Sequence, residues 1–510
     1  MKSKIAFFNI LTDALSKVVL LGLGILLPKL YIQNFGSEIN GLLSSLSGIF
    51  VYLALLEAGV GGASIQALYS PISKKNHAKI NGILAATNKF YKKTGLYFLG
   101  CVSILAFLYP YFIKSELKFS LIVTLVLLSA VPTALRFFYQ GRYIVLLNAD
   151  NKIYILNLFS TVFNIISNIA KIILIITGKN IIYVQIVFSI INVVQVILIN
   201  LYVKRKYSYL DFKSKADEMA ISKKNSVMVH EIASTLFNNI DVLLLTFFCG
   251  LKVVSVYTIY NMIFIQTGFI VKTVSVGLTA SFGQLYFEDN NKFTRLFNCF
   301  EIYYQAMVFS VFVTAGLLAT PFITLYTKGV SDIQYVDKYL PILFMIVNIL
   351  SNVRWPSVIA INIAGHFKET QWRALLETTL NLVFSMIFVK IYGIYGVLFG
   401  TIIALLYRTI DMVIYSNQYI LKKSIIMQFR RILLFVISGI SLSIIFKYLN
   451  LSTHNYFDFS LAAGFVFLIN SLTYLIIASL MDKQSLRILL KFVTTIIRKF
   501  NQRLLSKANL

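Results

Sequence analysis

The sequence predicts an all-α polytopic membrane protein with about fourteen transmembrane helices. Three observations carry this prediction. First, the 510-residue chain is 58% hydrophobic, 13% charged and has a mean hydropathy of +0.78, whereas soluble proteins rarely exceed about half apolar. Second, its apolar runs recur from end to end and are about twenty residues long, the length at which a helix crosses the hydrocarbon. Third, Lys and Arg gather in alternate loops. With no water at bilayer depth, every backbone polar group must be satisfied internally, so the spans are helices or a closed barrel. A barrel would show short alternating segments, but these runs are apolar all round.

The spans fall at about 6–32, 38–66, 92–112, 118–140, 152–176, 180–203, 226–249, 252–284, 300–326, 339–364, 372–391, 394–420, 431–448 and 459–481. Gly, Asn and Lys mark most boundaries. The opening MKSKIAFF resembles the start of a signal peptide, but the apolar run after it is too long, contains Asp13 and Lys17, and lacks a small-residue cleavage site. It reads as a retained first span.

The net charge of +27 would point to nucleic acid on a soluble protein. On a membrane protein it reads as loop asymmetry, with no nucleic-acid partner. With the N-terminus inside, the inner loops hold Lys74, Lys75, Lys79, Lys89, Lys92 and Lys93, then Lys204, Arg205 and Lys206, then Lys422, Lys423, Arg430 and Arg431. Both termini are therefore expected on the cytoplasmic side of a bacterial inner membrane. Cys101, Cys249 and Cys299 are scattered and the four His form no cluster, so no disulfide framework, metal site or cofactor is expected.

The chain echoes itself at a spacing of about 215 residues. Phe35-Gly36 matches Cys249-Gly250, residues 148–152 parallel residues 363–368, and Gly178 falls opposite Gly393. The shared offset predicts a duplicated six-helix unit: residues 1–210 and 211–425 as two lobes, 426–482 as an added helix pair, and 483–510 as a tail. Repeats of this kind build transporters whose site lies between two lobes. The tail, SLRILLKFVTTIIRKFNQRLLSK, reads as a basic amphipathic helix attracted to anionic membrane lipid; it also simply completes the positive-inside pattern.

An ionisable group at bilayer depth costs about 2.5–3.5 kcal/mol on insertion scales and faces the interior or pairs. Asp13 with Lys17 and Arg408 with Asp411 are spaced to neutralise each other on one helix. Glu231 and Glu377 lie near inner ends, within reach of water, and Lys29 is placed to snorkel. Arg136, Lys171, Lys272 and Arg354 have no sequence-local acid. Pairing across helices is one reading of these four. The sharper one is a water-filled cationic cavity for an anionic cargo, since Arg suits phosphate through forked hydrogen bonds. Lys17 and Arg408 join the four as candidates for that cavity.

Glu57 precedes Gly59, Gly61 and Gly62. Small residues permit close helix approach, so Glu57 reads either as an acid beside a packing seam or as a proton or Na⁺ carrier. Asp241, beside Asn238 and Asn239, is similarly ambiguous. Glu57, Asp241, Asp13 and Asp411 are the candidates for ion coupling or gating.

At this point the chain resembles the polysaccharide (O-antigen, Wzx-type) flippases of the multidrug/oligosaccharidyl-lipid/polysaccharide exporter superfamily. The carrying segments are LLEAGVGGASIQALYSPI (55–72), NNIDVLLLTFFCGLKVVSVYTIYNMI (238–263) and the stretch FKETQWRALLETTLNLVFSMIFVKIYGIYGVLFGTII (367–403). The resemblance covers nearly the whole chain and rests on order and spacing. It implies a MATE-like two-lobe fold with two extra C-terminal helices, alternating access, and an undecaprenyl-diphosphate-linked oligosaccharide as cargo. H⁺ or Na⁺ coupling and a supporting polymerase and glycosyltransferases are also implied.

Three rivals remain at this stage. An exporter of cationic drugs would favour free acids, whereas this chain offers bases. A membrane-embedded polymerase or ligase needs a sizeable outer loop, and there is neither a nucleotide-binding Gly-rich loop nor a His/Cys metal spacing. A scaffold has little reason to keep cations at depth.

Overall fold

The computed structural model describes residues 22–57, 60–211, 214–219, 224–448, 453–491 and 494, and these residues are overwhelmingly helical. Helix α1 is seen over 22–35. It is followed by α2 (Ser37–Ala54), α3 (Val60–Ser73), α4 (His77–Phe112), α5 (Phe119–Leu135), α6 (Gly141–Ala149), α7 (Ile153–Ile176), α8 (Ile181–Lys206) and α9 (Lys224–Phe248). Next come α10 (Leu251–Glu288), α11 (Asn290–Tyr326), α12 (Leu340–Val353), α13 (Trp355–Ala364), α14 (Phe367–Tyr392), α15 (Ile394–Tyr415), α16 (Ile425–Tyr448) and α17 (Tyr456–Met481). A last helix, α18, is described over 483–491.

Twelve described helices are long and apolar enough to cross a membrane, so the protein is a multi-pass membrane protein. Of the two other expected spans, 6–32 runs partly through residues outside the described set, and 226–249 coincides with α9, which contributes the shorter apolar stretch Asn239–Phe248. Asp13 and Lys17 lie outside the described residues, as does most of the basic tail.

Several helices outrun the apolar windows that announce them. α4 begins at His77 rather than near residue 92, so Lys79, Lys89, Lys92 and Lys93 ride on its polar turns instead of occupying a loop. α11 begins at Asn290 rather than near residue 300. The cause is local. Asn76 accepts the Lys79 N–H at 3.1 Å and Asp289 accepts the Lys292 N–H at 2.9 Å, and such caps start a helix regardless of hydropathy.

The duplicated pattern has a backbone counterpart. Gly36 and Gly250 both take left-handed φ (84° and 90°), as do Gly178 and Gly393 (72° and 56°). Residues 148–152 and 363–368 turn alike, through Asn151 (φ 55°) and Gly365 (φ 74°). In each, an N–H closes on the carbonyl five residues back: Lys152 on Leu147 at 2.7 Å and His366 on Ile361 at 3.2 Å. That is the Schellman closure of a helix end.

The described chain divides into two compact units. Unit one holds residues up to Ile259 with Gly329–Gln334 and Ser385–Val397; unit two holds Tyr260–Lys328, Tyr335–Phe384 and the remainder from Leu398. In unit one, α4 packs on α3, α5 and α6, α8 on α5 and α7, and α2 on α9. Leu42, Leu46, Phe98, Tyr109, Leu125 and Tyr143 form its buried centre. In unit two, α11 is the hub, packing on α12, α16 and α17.

In unit one, α2 approaches the start of α10 closely. A Cβ on Gly41 would lie 1.9 Å from the Leu251 carbonyl oxygen, and one residue earlier Asn40 donates to Ser255 at 2.8 Å. A Cβ on Gly100, on α4, would meet nothing within 4 Å. Overpacking of this kind costs about 1–3 kcal/mol, whereas Gly→Ala in an open helix position gains about 0.5–1 kcal/mol. Gly41→Ala is therefore expected to lower the chemical-unfolding midpoint in detergent clearly, and Gly100→Ala to leave it unchanged or raised.

Candidate functional site

Unit one contains a cavity of about 630 Å³ lined by residues of α1, α2, α5, α7 and α8, and two of its sequence-predicted cations, Arg136 and Lys171, line it. Their presentation starts with a proline. Pro132 lacks the N–H that would bond the Leu128 carbonyl, and the Ser189 hydroxyl on α8 supplies the missing donor at 3.1 Å. One turn on, Arg136–Gln140 widens into a π-turn, a distortion frequent at functional sites.

Arg136, at the start of that turn, donates to Glu57 Oε1 over 2.5 Å, and Glu57 occupies the 3₁₀ turn that ends α2. The guanidinium side chain stays 50% exposed while Glu57 is 11% exposed. One face of the arginine is thus held while the other remains open. Lys171, on α7, places its ammonium 3.6 Å from the centroid of the Phe188 ring, a cation–π contact that holds the charge without neutralising it. Among the described residues it makes no ion pair. Asn168, Ser44 and Thr133 line the same cavity, together with Gln185, which donates to Ser129 at 3.0 Å.

Unit two solves its charges differently. Arg354 stands at the break between α12 and α13 and donates to Glu377 Oε1 at 2.5 Å. Arg408 reaches the other Glu377 oxygen at 3.3 Å and donates to Asp411 at 2.9 Å, and Arg373 bonds the remaining Asp411 oxygen. Three cations and two carboxylates therefore form one chain across α14, α15 and the α12–α13 break. It ends in the Tyr415 ring, 4.9 Å from the Arg373 guanidinium carbon, whose hydroxyl lies 2.9 Å from His366 Nδ1.

This geometry corrects one reading of the sequence, that of Glu377, and realises another for the arginines. Arg136 and Arg354 follow the cross-helix pairing reading: Glu57 partners the first and Glu377 the second, because at depth a charge needs a counter-charge and helix packing supplies it. Glu377 does not reach water; it is 7% exposed and bridges two arginines. Asn239 donates to the Thr235 carbonyl at 3.0 Å, and Asp241 accepts the Tyr257 hydroxyl at 2.8 Å. The local Arg408–Asp411 pair forms as spaced. Lys272 is exposed on α10 and makes no ion pair among the described residues; one turn on, Ser275 accepts the indole N–H of Trp355 at 2.9 Å, next to Arg354. Among the described residues no group of three or more His, Cys, Asp or Glu is placed to hold a metal ion.

The residues that sequence reasoning passed over are Arg373, Glu377 as a bridge, and the polar lining Asn168 and Gln185. The spacing of Arg373 and Glu377, four apart on α14, marked both as charges on one face, although each bonds a different partner. Removing one partner of a buried ionic group leaves uncompensated charge and costs about 3–5 kcal/mol. Glu377→Gln is expected to destabilise the protein by about that much. Arg373→Gln, at the more exposed end, should cost about 1 kcal/mol or less. Chemical unfolding in detergent checks the order, and equal costs would refute the bridging role of Glu377.

No family model matches the chain, and no curated protein does. Among solved structures it superposes on the lipid II flippase MurJ in an inward closed conformation, with a TM-score of 0.71 and 17% identity over 93% of this chain and 98% of that one. It also superposes on an inward-facing multidrug resistance MATE transporter of the MOP superfamily, with a TM-score of 0.54 and 16% identity over 78% of this chain and 93% of that one. The Vibrio cholerae MATE transporter VcmN gives a TM-score of 0.50 and 14% identity, covering 82% and 98% respectively. At such identities the likeness is one of fold: this chain has the helical membrane fold shared by the lipid II flippase and the MATE transporters.

Proposed function

We propose that this protein is a flippase. It carries undecaprenyl-diphosphate-linked oligosaccharide units from the inner to the outer leaflet of the bacterial cytoplasmic membrane, by alternating access, for cell-surface polysaccharide synthesis. The observation that carries the reading is the cavity of unit one, where the half-open Arg136 and the ring-held Lys171 face a pocket rich in amide and hydroxyl groups. A diphosphate offers the charge these cations want, and guanidinium and ammonium groups bind phosphate oxygens through charge-assisted hydrogen bonds. Sugars would use the amides and hydroxyls. The extent of the fold match supports a lipid cargo: the flippase takes up 93% of this chain, whereas a nearly complete MATE transporter takes up 78%. We read the surplus as including α16 and α17.

Lys272, Arg354 and Arg408 are assigned to unit two's share of the cargo path, with the two arginines also pinned by Glu377. Glu57, Asp241 and Asp411 are the carboxylates on which H⁺ or Na⁺ coupling would act. Glycosyltransferases that build the cargo and a polymerase that consumes it are the expected partners.

The test is reconstitution of the full chain in proteoliposomes with a fluorescent polyprenyl-diphosphate sugar, followed by an impermeant quencher. Transbilayer movement is expected with the wild type. Losing one charge-assisted contact to a phosphate costs about 1.5–3 kcal/mol, so Lys171→Ala should slow movement at least about tenfold with an unchanged unfolding midpoint. Export of cationic dyes without movement of the lipid would overturn the reading in favour of a drug exporter.

A further inference from the structure

A second polar cavity, of about 700 Å³, lies in unit two at the end where the loop Lys422–Ser424 joins α15 to α16, and the transport reading does not use it. Three helix N-termini open onto it: α11 through Asn290 and Asn291, α16 through Ser424 and Met427, and α18 through Gln484 and Ser485. A helix N-terminus carries roughly half a positive charge. Arg295, Lys422, Lys423 and Arg431 add four side-chain cations to the lining, against Asp482 as the single carboxylate among the described residues that line it.

The internal bonds leave this excess in place. Lys423 is 3.8 Å from Glu301, and Lys423 and Arg431 both donate to the Asn298 oxygen, at 3.3 and 2.9 Å. Arg431 and Asp482 are 3.6 Å apart, and Asp482 is otherwise occupied by the Ser485 hydroxyl at 2.7 Å. Burial pushes the Lys423 ammonium below its ordinary range, against the pull of Glu301. Arg295 and Lys422 are exposed and make no ion pair among the described residues. Lys422 is also held at φ 49°, a left-handed conformation uncommon for a side chain with a Cβ. An independent observation points to a missing acceptor. Gln428 lines the cavity, is only 3% exposed, and its amide nitrogen has no hydrogen-bond partner; the same holds for Arg431 Nε, on a side chain 5% exposed. Buried donors are rarely left so.

Ile488, on α18, lines this cavity and also an apolar groove of about 650 Å³ formed by α10, α11 and α17, with Phe282, Phe300, Met307 and Leu475 on its walls. A charged pocket that adjoins an apolar trough at Ile488 fits an amphiphile better than a free ion. We propose that this cavity binds the phosphate headgroup of an anionic membrane phospholipid, one acyl chain of which lies in the groove. Arg295 and Lys422 would supply the outer charge-assisted bonds and the three helix N-termini the field.

The test uses the purified full chain in detergent, with phosphatidylglycerol, phosphatidylcholine and inorganic phosphate as separate ligands, read by binding and by the shift in thermal midpoint. Phosphatidylglycerol should bind at least about tenfold more tightly than phosphatidylcholine, and the exposed-site double variant Arg295→Gln/Lys422→Asn should lose that preference. Asn tolerates the left-handed position at 422, and an unchanged midpoint without lipid shows that the variant folds. Leu475→Trp, which fills the groove, should weaken phosphatidylglycerol alone. Equal binding of the two lipids, or a preference that survives the double variant, overturns the proposal. Binding of inorganic phosphate that matches phosphatidylglycerol and ignores Leu475→Trp also overturns it, and assigns the cavity to free phosphate.

Discussion

Glu377 is the residue on which the polar interior of unit two depends. Each of its oxygens faces an arginine, Arg354 on one side and Arg408 on the other. Charges this far from water are expensive: the idealised cost of taking one such ion from water into dry protein is of order 20 kcal/mol. Mutual attraction offsets that only when partners are close and the remaining oxygens are bonded. Here a single carboxylate ties the α12–α13 break to α14 and α15, and Asp411 extends the chain to Arg373. Without the glutamate, Arg354, which keeps its charge, would be left uncompensated at the helix break.

The same rule applied to the backbone explains the helix breaks. Pro132 leaves the Leu128 carbonyl short of a donor, and Ser189 supplies it from a neighbouring helix. The π-turn that follows brings Arg136 to Glu57. In unit two the interruption again falls at an arginine, with Pro356 just after it. In both halves an arginine with a carboxylate partner stands where the helix is interrupted and a proline is near. An interrupted ladder exposes backbone groups that an apolar span could not accommodate, so such breaks are tolerated where polar groups gather.

Much of this was legible in the sequence, and the limits have physical causes. The span pattern follows from hydropathy, because lipid leaves few alternatives. The turns at Gly36, Gly178, Gly250 and Gly393 were marked by glycine, and all four adopt the backbone that glycine permits. Arg408 and Asp411 pair because one helix turn separates them. Arg136 and Glu57, 79 residues apart, were not legible as a pair, nor were Arg354 and Glu377. Their meeting depends on how each helix is rotated about its axis, and a span that is apolar all round carries almost no rotational signal. The early starts of α4 and α11 were missed for the opposite reason: hydropathy ends where charge begins, but capping by Asn76 and Asp289 does not heed it.

The contrast between Lys171 and the arginines of unit two bears on what the cavity of unit one is for. A cation locked between carboxylates has its charge spent, and an incoming anion would have to displace an acid to reach it. Lys171 is held instead by the face of Phe188, which steadies an ammonium without cancelling it. Arg136 is intermediate: Glu57 takes one nitrogen, but a guanidinium has five donors and half of this side chain stays open. Among the described residues the cavity lining therefore holds two cations against one carboxylate, with the unspent charge on the lysine. A pocket for cationic drugs would need the reverse balance. The electrostatic sign of the cavity thus rests on an aromatic ring doing for a lysine what carboxylates do for the arginines of unit two.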